Sequence, residues 1–289
     1  IYESEAATSF TKRVIFSGWA VVPKAVASLT SYEAQRQAFR GSRHKKYISK
    51  NRGDGRLTFK MKERKPNSMN TFALMWPSPA LAQLGEHRHI GSNRPSVSEV
   101  RRQVADRITK SLDPIIKKNN KNSTTDQRWY WLAPLLLDQR AFPEATDEWW
   151  AQDNSESAWS QEKHTDGFVQ HSWEAWETLN NTDIEIGSPP TDLIDVLTDL
   201  AIGGPSVCAL RALSAVSGLP LTHTAVLDGA ALVSDAYRRF FNEAEVTAIV
   251  LRDSNSPSDK EHASEEGYWR TVLRYCTDAH MQAVLDEHV

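Results

Sequence analysis

From about residue 95 onward, apolar residues recur every three or four positions, the spacing that places them on one face of an α-helix. Ser96 and Glu99 form a capping box at the start of the first such segment. Residues 117–125 and 254–264 are polar enough to be loops or poorly ordered segments. The greater part of the chain is therefore expected to be a helical body. Further helices are predicted over residues 129–137, 193–201, 206–216, 226–241 and 268–289.

The N-terminal part of the chain has a different pattern. Residues 12–19 (KRVIFSGW) are typical of a short buried strand, and Pro23 then stands where the first turn of a helix tolerates proline. Residues 56–61 (RLTFKM) alternate polar and apolar side chains, as an exposed strand does. The sequence thus predicts a mixed α/β fold that is mostly helical, with a short β-α start.

The composition sets the class of protein. The chain of 289 residues is 40% hydrophobic and 25% charged, which is typical of one large globular domain or two smaller ones. It has no uninterrupted run of about 18 apolar residues, so no membrane span is expected. Cys208 and Cys276 lie in apolar helical patterns, which favours buried thiols in a reducing compartment. We therefore expect a cytoplasmic protein, and the histidine spacing predicts no metal site.

Motifs of hydrolytic chemistry are missing from the sequence. An ATPase needs a glycine-rich phosphate loop that ends in Lys-Ser or Lys-Thr, and no such loop occurs in these residues. Asp286 and Glu287 close an amphipathic helix rather than a buried strand, so we expect no magnesium ion there. A Gly-x-Ser-x-Gly nucleophile turn is also missing. We expect no catalytic residue and no cofactor in this chain, and no ATP hydrolysis by the chain alone.

Positive charge is concentrated in residues 36–65, which we call the basic block. The block contains 12 Lys and Arg against 2 Asp and Glu, a charge of +10, although the whole chain carries −3. Clustered cations neutralise phosphates, and aromatic side chains between them can stack on bases. The alternative is a solvated hairpin whose lysines keep an edge strand from aggregating. The candidate nucleic-acid-binding residues here are Arg36, Arg40, Arg43, Lys45, Lys46, Lys50 and Arg52.

The tryptophans are also unevenly distributed, with 7 of the 10 between residues 129 and 176. Such clusters usually form part of a helical core, because each indole buries a large apolar area. A stacking platform or a partner-binding surface is the alternative. The seven are Trp129, Trp131, Trp149, Trp150, Trp159, Trp173 and Trp176.

Several stretches together resemble large bacterial Swi/Snf-like superfamily-two DNA helicases. Residues 12–19, with VPKA at 22–25 and SYEAQR at 31–36, are similar to the opening of the second RecA-like domain, whose strand carries the fourth helicase motif. PSPALA at 77–82 fits the same group, and YWR and QAVLDE within residues 268–287 look like a later segment of these helicases. The similar stretches cover about a quarter of the chain and follow the expected order.

The resemblance implies a division of the chain into three parts. Residues 1–84 would begin the second RecA-like motor domain and carry a basic hairpin, residues 85–265 would form a mostly helical insertion, and residues 266–289 would lead back to the motor domain. Ser17 and Trp19 would lie near the nucleic-acid track or the cleft between motor domains.

The resemblance also implies what the complete protein binds. The first motor domain, with its phosphate loop and acidic box, would precede residue 1, and the arginine fingers would follow residue 289. ATP and Mg²⁺ are therefore expected for the complete protein. The expected partners are DNA or RNA, the remaining motor domains of the same polypeptide, and a protein partner at the helical insertion.

Two other functions remain open at this point. An acidic, tryptophan-rich helical domain could bind a protein partner, in which case the basic block would be irrelevant. A stand-alone enzyme would need a pocket with convergent polar groups, which a sequence alone does not show.

Overall fold

The structure is a computed structural model that describes residues 18–19, 21–38, 56–62, 65–86, 96–151, 166–180, 186–253 and 267–288. The chain divides into two compact units, Ile1–Ile48 and Ser49–Val289. The predicted strand at residues 12–19 falls almost wholly outside the described residues. The described part is mostly helical, which confirms the predicted fold class at that level.

The described part of the first unit is one helix, α1, Val21–Ala38. Pro23 lies in its first turn, as the sequence predicts. The helix presents apolar side chains to solvent, because Val21, Leu29 and Tyr32 are all exposed. Within the first unit alone, α1 therefore has an uncovered apolar surface.

The second unit carries the other described helices. Each helix that the sequence predicts from residue 96 onward is present with bounds that differ by a few residues, except that the segment predicted as one helix over 268–289 forms two. The helices are α2 Met69–Met75, α3 Pro79–Leu84, α4 Val97–Asn119, α5 Trp129–Ala141, α6 Pro143–Ala151, α7 Asp166–Asn180, α8 Leu193–Gly203, α9 Pro205–Ser217, α10 Thr224–Phe241, α11 Ala244–Asp253, α12 Tyr268–Asp278 and α13 Met281–His288.

Two short strand pairs accompany these helices. Strands β1 (Met61–Lys62) and β2 (Lys65–Pro66) pair antiparallel, and β3 (Asn120–Thr125) and β4 (Ile186–Ser188) pair parallel. The prediction of a loop at residues 117–125 was wrong. These polar residues continue α4 to its end and then form β3, because β4 supplies backbone partners that a sequence pattern does not show.

The core of the second unit lies between α8 and the helices around it. Helix α8 packs against α4, α12 and α9, and α9 also packs against α10 and α13. The segment Leu193–Ser217, which covers α8 and α9, has the length and composition of a membrane-crossing helix. Within this segment, 78% of the most apolar 18-residue stretch is buried by the protein itself. Core helices of folded domains share this length, composition and burial, so the segment is weak evidence for a membrane span.

Local signals in the sequence explain several helix ends. The Ser96 hydroxyl accepts the backbone N–H of Glu99 at 3.2 Å, which confirms the Ser96 half of the predicted capping box of α4. The Glu99 carboxylate accepts from Arg102 and Gln103. The predicted single helix over 268–289 is instead two helices. Its break falls at His280, whose φ of 53° lies in the left-handed region. Apolar periodicity continues through that bend, so the sequence pattern does not reveal it.

The tryptophan cluster is only partly core. Trp129 and Trp131 are buried, and Trp149 is partly buried against the core, where its indole donates to Asp228 at 3.0 Å. Trp173 and Trp176 are 58% and 36% exposed and pack edge to face on α7. The side chains of Trp150 and Trp159 lie outside the described residues. Both cysteines are free and buried, as predicted.

A buried carboxylate organises the turn before α3. Asp138 of α5 accepts three hydrogen bonds: from the Trp76 indole at 2.8 Å, the Ser78 hydroxyl at 2.7 Å and the Ala80 backbone N–H at 2.8 Å. Ser78 also caps α3 by accepting the Leu81 N–H. The Ser-Pro turn is thus fixed to α5 through one side chain.

A buried arginine joins four helices. Arg211 of α9 is 1% exposed and donates to the carbonyl oxygens of Ala201 and Ile202 in the last turn of α8, and to that of Ala82 in α3. It also donates to Gln282 Oε1 of α13 at 2.7 Å. The C-terminal end of a helix carries partial negative charge, which stabilises the guanidinium there.

Candidate nucleic-acid interface

The alternating segment at residues 56–60 contributes one wall of a polar cleft. Leu57 is fully buried and Phe59 packs against the core, whereas Arg56, Thr58 and Lys60 line the cleft. The two-residue period that predicts an exposed strand therefore places three polar side chains on one face. Of residues 56–62, only Met61 and Lys62 pair as a strand, whereas residues 56–57 form a bend and residues 58–60 have no regular secondary structure, so the strand predicted over residues 56–61 forms only at its end.

The cleft has a volume of about 700 Å³ and lies entirely within the second unit. Its lining is polar and contains three cationic side chains, those of Arg56, Lys60 and Arg270, and one carboxylate, that of Asp192. The remaining lining residues are Thr58, Asn67, Ser68, Asn70, Thr71, Gln127, Tyr130, Gly267 and Trp269. The described lining thus carries a net positive charge.

Three helices of more than two turns begin at this cleft. Helix α5 starts beside Gln127 and Tyr130, α8 starts after Asp192, and α12 starts after Gly267. The N-terminus of a helix carries partial positive charge and backbone N–H groups without partners in the helix. Three such ends beside three cationic side chains make the cleft attractive to an anion.

Arg270 is held by the aromatic residues around it. Its guanidinium carbon lies 4.5 Å from the ring centre of Tyr130 and 5.2 Å from that of Trp269. Its Nη1 donates to Asp192 Oδ2 at 2.5 Å, and the Tyr130 hydroxyl donates to Asp192 Oδ1 at 2.6 Å. Each carboxylate oxygen of Asp192 therefore accepts one charge-assisted hydrogen bond.

The protonation states of Asp192 and Tyr130 follow from their surroundings. Burial alone would raise the pKa of Asp192, but the hydrogen bonds from Tyr130 and Arg270 outweigh it and lower the pKa below its usual value. Burial and the bond to Asp192 raise the pKa of Tyr130 to about 12. At neutral pH the cleft thus holds an ionised carboxylate, a neutral phenol and a cationic guanidinium.

The aromatic rings in the cleft wall do not offer stacking faces. Tyr130 and Trp269 are both almost fully buried, and Arg270 covers both rings. Arg56 lies over the buried ring of Tyr268, with its guanidinium carbon 5.6 Å from the ring centre. Contacts made here would therefore be ionic and hydrogen-bonded, as to a phosphate backbone, rather than stacked on bases.

Two polar groups on the cleft wall have contrasting partners. The Ser68 hydroxyl accepts the Lys60 backbone N–H at 2.7 Å and lies 3.0 Å from Nε2 of the buried His171. Thr58 Oγ1 is buried and, among the described residues, has no hydrogen-bond partner.

The predicted binding residues fall almost entirely outside the described part of the chain. Ser17, Arg40, Arg43, Lys45, Lys46, Lys50 and Arg52 all lie there. Trp19 is described and 75% exposed, and Arg36 lies near the end of α1. Arg36 makes a bidentate ion pair with Glu33, with nitrogen–oxygen distances of 2.6 and 2.7 Å, which raises the pKa of Arg36. Both belong to the first unit, so neither is described as part of the cleft.

Sequence reasoning missed the residues that form the cleft. Arg56 and Lys60 were counted within the basic block but were not named as binding residues. Their alternation with buried Leu57 and Phe59 was the available signal. Arg270 stands in the YWR stretch that resembles the helicases, but no pattern connects it to Asp192. Within the described residues, no group of three or more His, Cys, Asp or Glu side chains could hold a metal ion.

Comparison with known proteins adds no further identification. No protein-family model matches the chain, and neither a curated protein nor a solved structure matches it.

Proposed function

We propose that this chain is a nucleic-acid-contacting part of an ATP-dependent DNA helicase or translocase, and that the polar cleft binds the phosphate backbone. The observation that carries the proposal is the meeting of Arg56, Lys60 and Arg270 with the N-terminal ends of α5, α8 and α12. Cations and helix N-termini are the groups that contact phosphates most often in nucleic-acid-binding proteins.

The basic block supports the same proposal. Arg56 and Lys60 are the part of that block that the structure describes in the cleft, and the block as a whole carries +10. Clustered cations of this kind neutralise several phosphates at once. The buried aromatic rings favour binding that does not depend on base sequence.

The motor assignment rests on the resemblance of the N-terminal stretch to a RecA-like domain. The uncovered apolar side chains of α1 support it, because a helix of a β-α unit packs its apolar face on a sheet. The domains that bind ATP and Mg²⁺ would then belong to the remainder of the motor, and this chain would contact DNA or RNA as the motor steps.

The first prediction concerns charge reversal in the cleft. Arg56→Glu with Lys60→Glu is expected to weaken binding of a labelled 20-nucleotide oligonucleotide by about 10-fold or more at 0.1 M salt, because two phosphate contacts become repulsive. Fluorescence anisotropy across a salt series measures it, with single-stranded and duplex DNA and with RNA. A second variant, Arg43→Glu with Lys45→Glu and Lys46→Glu, tests the rest of the basic block.

The control for that prediction is Lys117→Glu with Lys118→Glu on the exposed end of α4, which makes the same change in charge away from the cleft. The proposal requires a much smaller effect there. Wild-type chain that binds no oligonucleotide at low salt, or that responds equally to both pairs of substitutions, would contradict it.

An interaction module is the second candidate function, and the exposed pair Trp173 and Trp176 favours it. Exposed tryptophans are enriched where proteins meet partners. If oligonucleotide binding fails, Trp173→Ala with Trp176→Ala is expected to abolish capture of a protein partner while leaving the fold intact.

A further inference from the structure

The described lining of the cleft contains one carboxylate, that of Asp192, and it forms an ion pair with Arg270. Asp192 Oδ2 accepts Arg270 Nη1 at 2.5 Å. The Asp192 side chain is 41% exposed, whereas that of Arg270 is 22% exposed. An approaching phosphate therefore meets the carboxylate before it meets the guanidinium that would bind it.

Asp192 stands at a helix N-cap position, but its side chain does not cap the helix. It stands at the N-cap of α8, where aspartate ordinarily accepts a backbone N–H of the first turn. Its side chain makes no such bond and instead accepts hydrogen bonds from Tyr130 and Arg270. Asp192 therefore acts as the counter-ion of Arg270 and not as a side-chain cap of its own helix.

We infer that Asp192 is an internal counter-ion that stands in for a phosphate on Arg270 and limits the affinity of the cleft. This inference rests on the proposed function of the cleft. Binding of a phosphate to Arg270 would displace the Asp192 carboxylate from the guanidinium. Because the ion pair with Asp192 must be broken before Arg270 binds a phosphate, Arg270 contributes less to the affinity than an unpaired arginine would.

The test is a double-mutant cycle on Asp192 and Arg270, read as the salt dependence of binding to a labelled single-stranded 20-mer. Asp192→Asn is expected to tighten binding about 3- to 10-fold at 0.1 M salt. It should also steepen the log–log salt slope by about 0.7, the contribution of one more neutralised phosphate. Arg270→Gln is expected to weaken binding in the wild type, and to weaken it more in the Asp192→Asn background, where it should cancel the whole gain.

The matched control is Asp195→Asn, which removes the same charge from the exposed face of the same helix. It is expected to leave the salt slope unchanged. Asp192→Ser provides a second variant that removes the charge, and serine suits an N-cap position as well as aspartate and asparagine do. Both Asp192 variants should behave alike.

The outcomes separate the two proposals. Salt-dependent binding that Asp192→Asn and Asp192→Ser leave unchanged or weaken overturns the inference and leaves the proposed function standing. An equal effect of Arg270→Gln in both backgrounds also overturns the inference. Lack of binding by every variant, the wild type included, overturns the proposed function and the inference together.

Discussion

Arg211→Ala is expected to lower the free energy of unfolding by about 3–5 kcal/mol, a large fraction of the stability of a typical domain. The substitution removes the donor to three backbone carbonyls, two of them at the C-terminal end of α8, and leaves them in a dry interior. It also opens a cavity where four helices meet. The end of α3 and the end of α8 approach each other closely at this point, since a Cβ atom at Gly85 would collide with the carbonyl oxygen of Ala201.

Urea unfolding followed by circular dichroism measures this loss as a shift in midpoint. Arg102→Ala is the matched control, because Arg102 is an exposed arginine on α4 whose ion pairs with Glu99 and Asp106 are solvated. That control is expected to leave the unfolding midpoint nearly unchanged. Arg211→Lys keeps the charge but not the planar fork, so an intermediate loss is expected. Equal midpoints for Arg211→Ala and Arg102→Ala would refute the assigned role.

The helices of the second unit could be predicted because their signal is local. Periodicity from residue 96 onward requires only that apolar residues share a face, and the capping bond of Ser96 lies three residues from its partner. Strand β3 could not be predicted in this way, because its polar residues pair with β4 some sixty positions later. The bend at His280 was missed because the apolar pattern runs on through it.

The cleft depended on the same distinction. The alternation of residues 56–60 predicted that Arg56, Thr58 and Lys60 would share a face. It did not predict that this face would lie beside the start of α12. The partnership of Arg270 with Asp192 joins residues from separate helices, and no spacing rule connects them. The fold class therefore followed from the sequence, whereas the site followed from packing.

The second large effect is expected at Asp138, and it depends on pH. Asp138→Ala leaves the Trp76 indole, the Ser78 hydroxyl and the Ala80 N–H without their acceptor, and is expected to cost more than about 3 kcal/mol. Burial raises the pKa of Asp138 to about 7, against the three hydrogen bonds, which act to lower it. The unfolded chain keeps the ordinary value of 3.8.

A pKa that is higher in the folded protein means that the folded state binds the proton more tightly. The stabilising contribution of Asp138 is therefore complete below about pH 4 and is lost as the pH rises through about 7. Across those roughly three units the loss is about 4 kcal/mol, at 1.36 kcal/mol per unit. Asp138→Asn removes the titrating group and keeps most of the shape, so its stability should lack this decline.

Urea unfolding of the wild type and of Asp138→Asn at pH 5, 6, 7 and 8 tests this pH dependence. The free energy of unfolding of the wild type should fall toward that of Asp138→Asn as the pH rises, because the wild type must carry a buried charge above pH 7 and the variant does not. Asp113→Asn, at an exposed position of α4, controls for the loss of a carboxyl group in general. Parallel profiles for the wild type and Asp138→Asn would mean that the three donors hold Asp138 ionised throughout, so that the carboxylate and not the acid is the form that fixes the Ser-Pro turn.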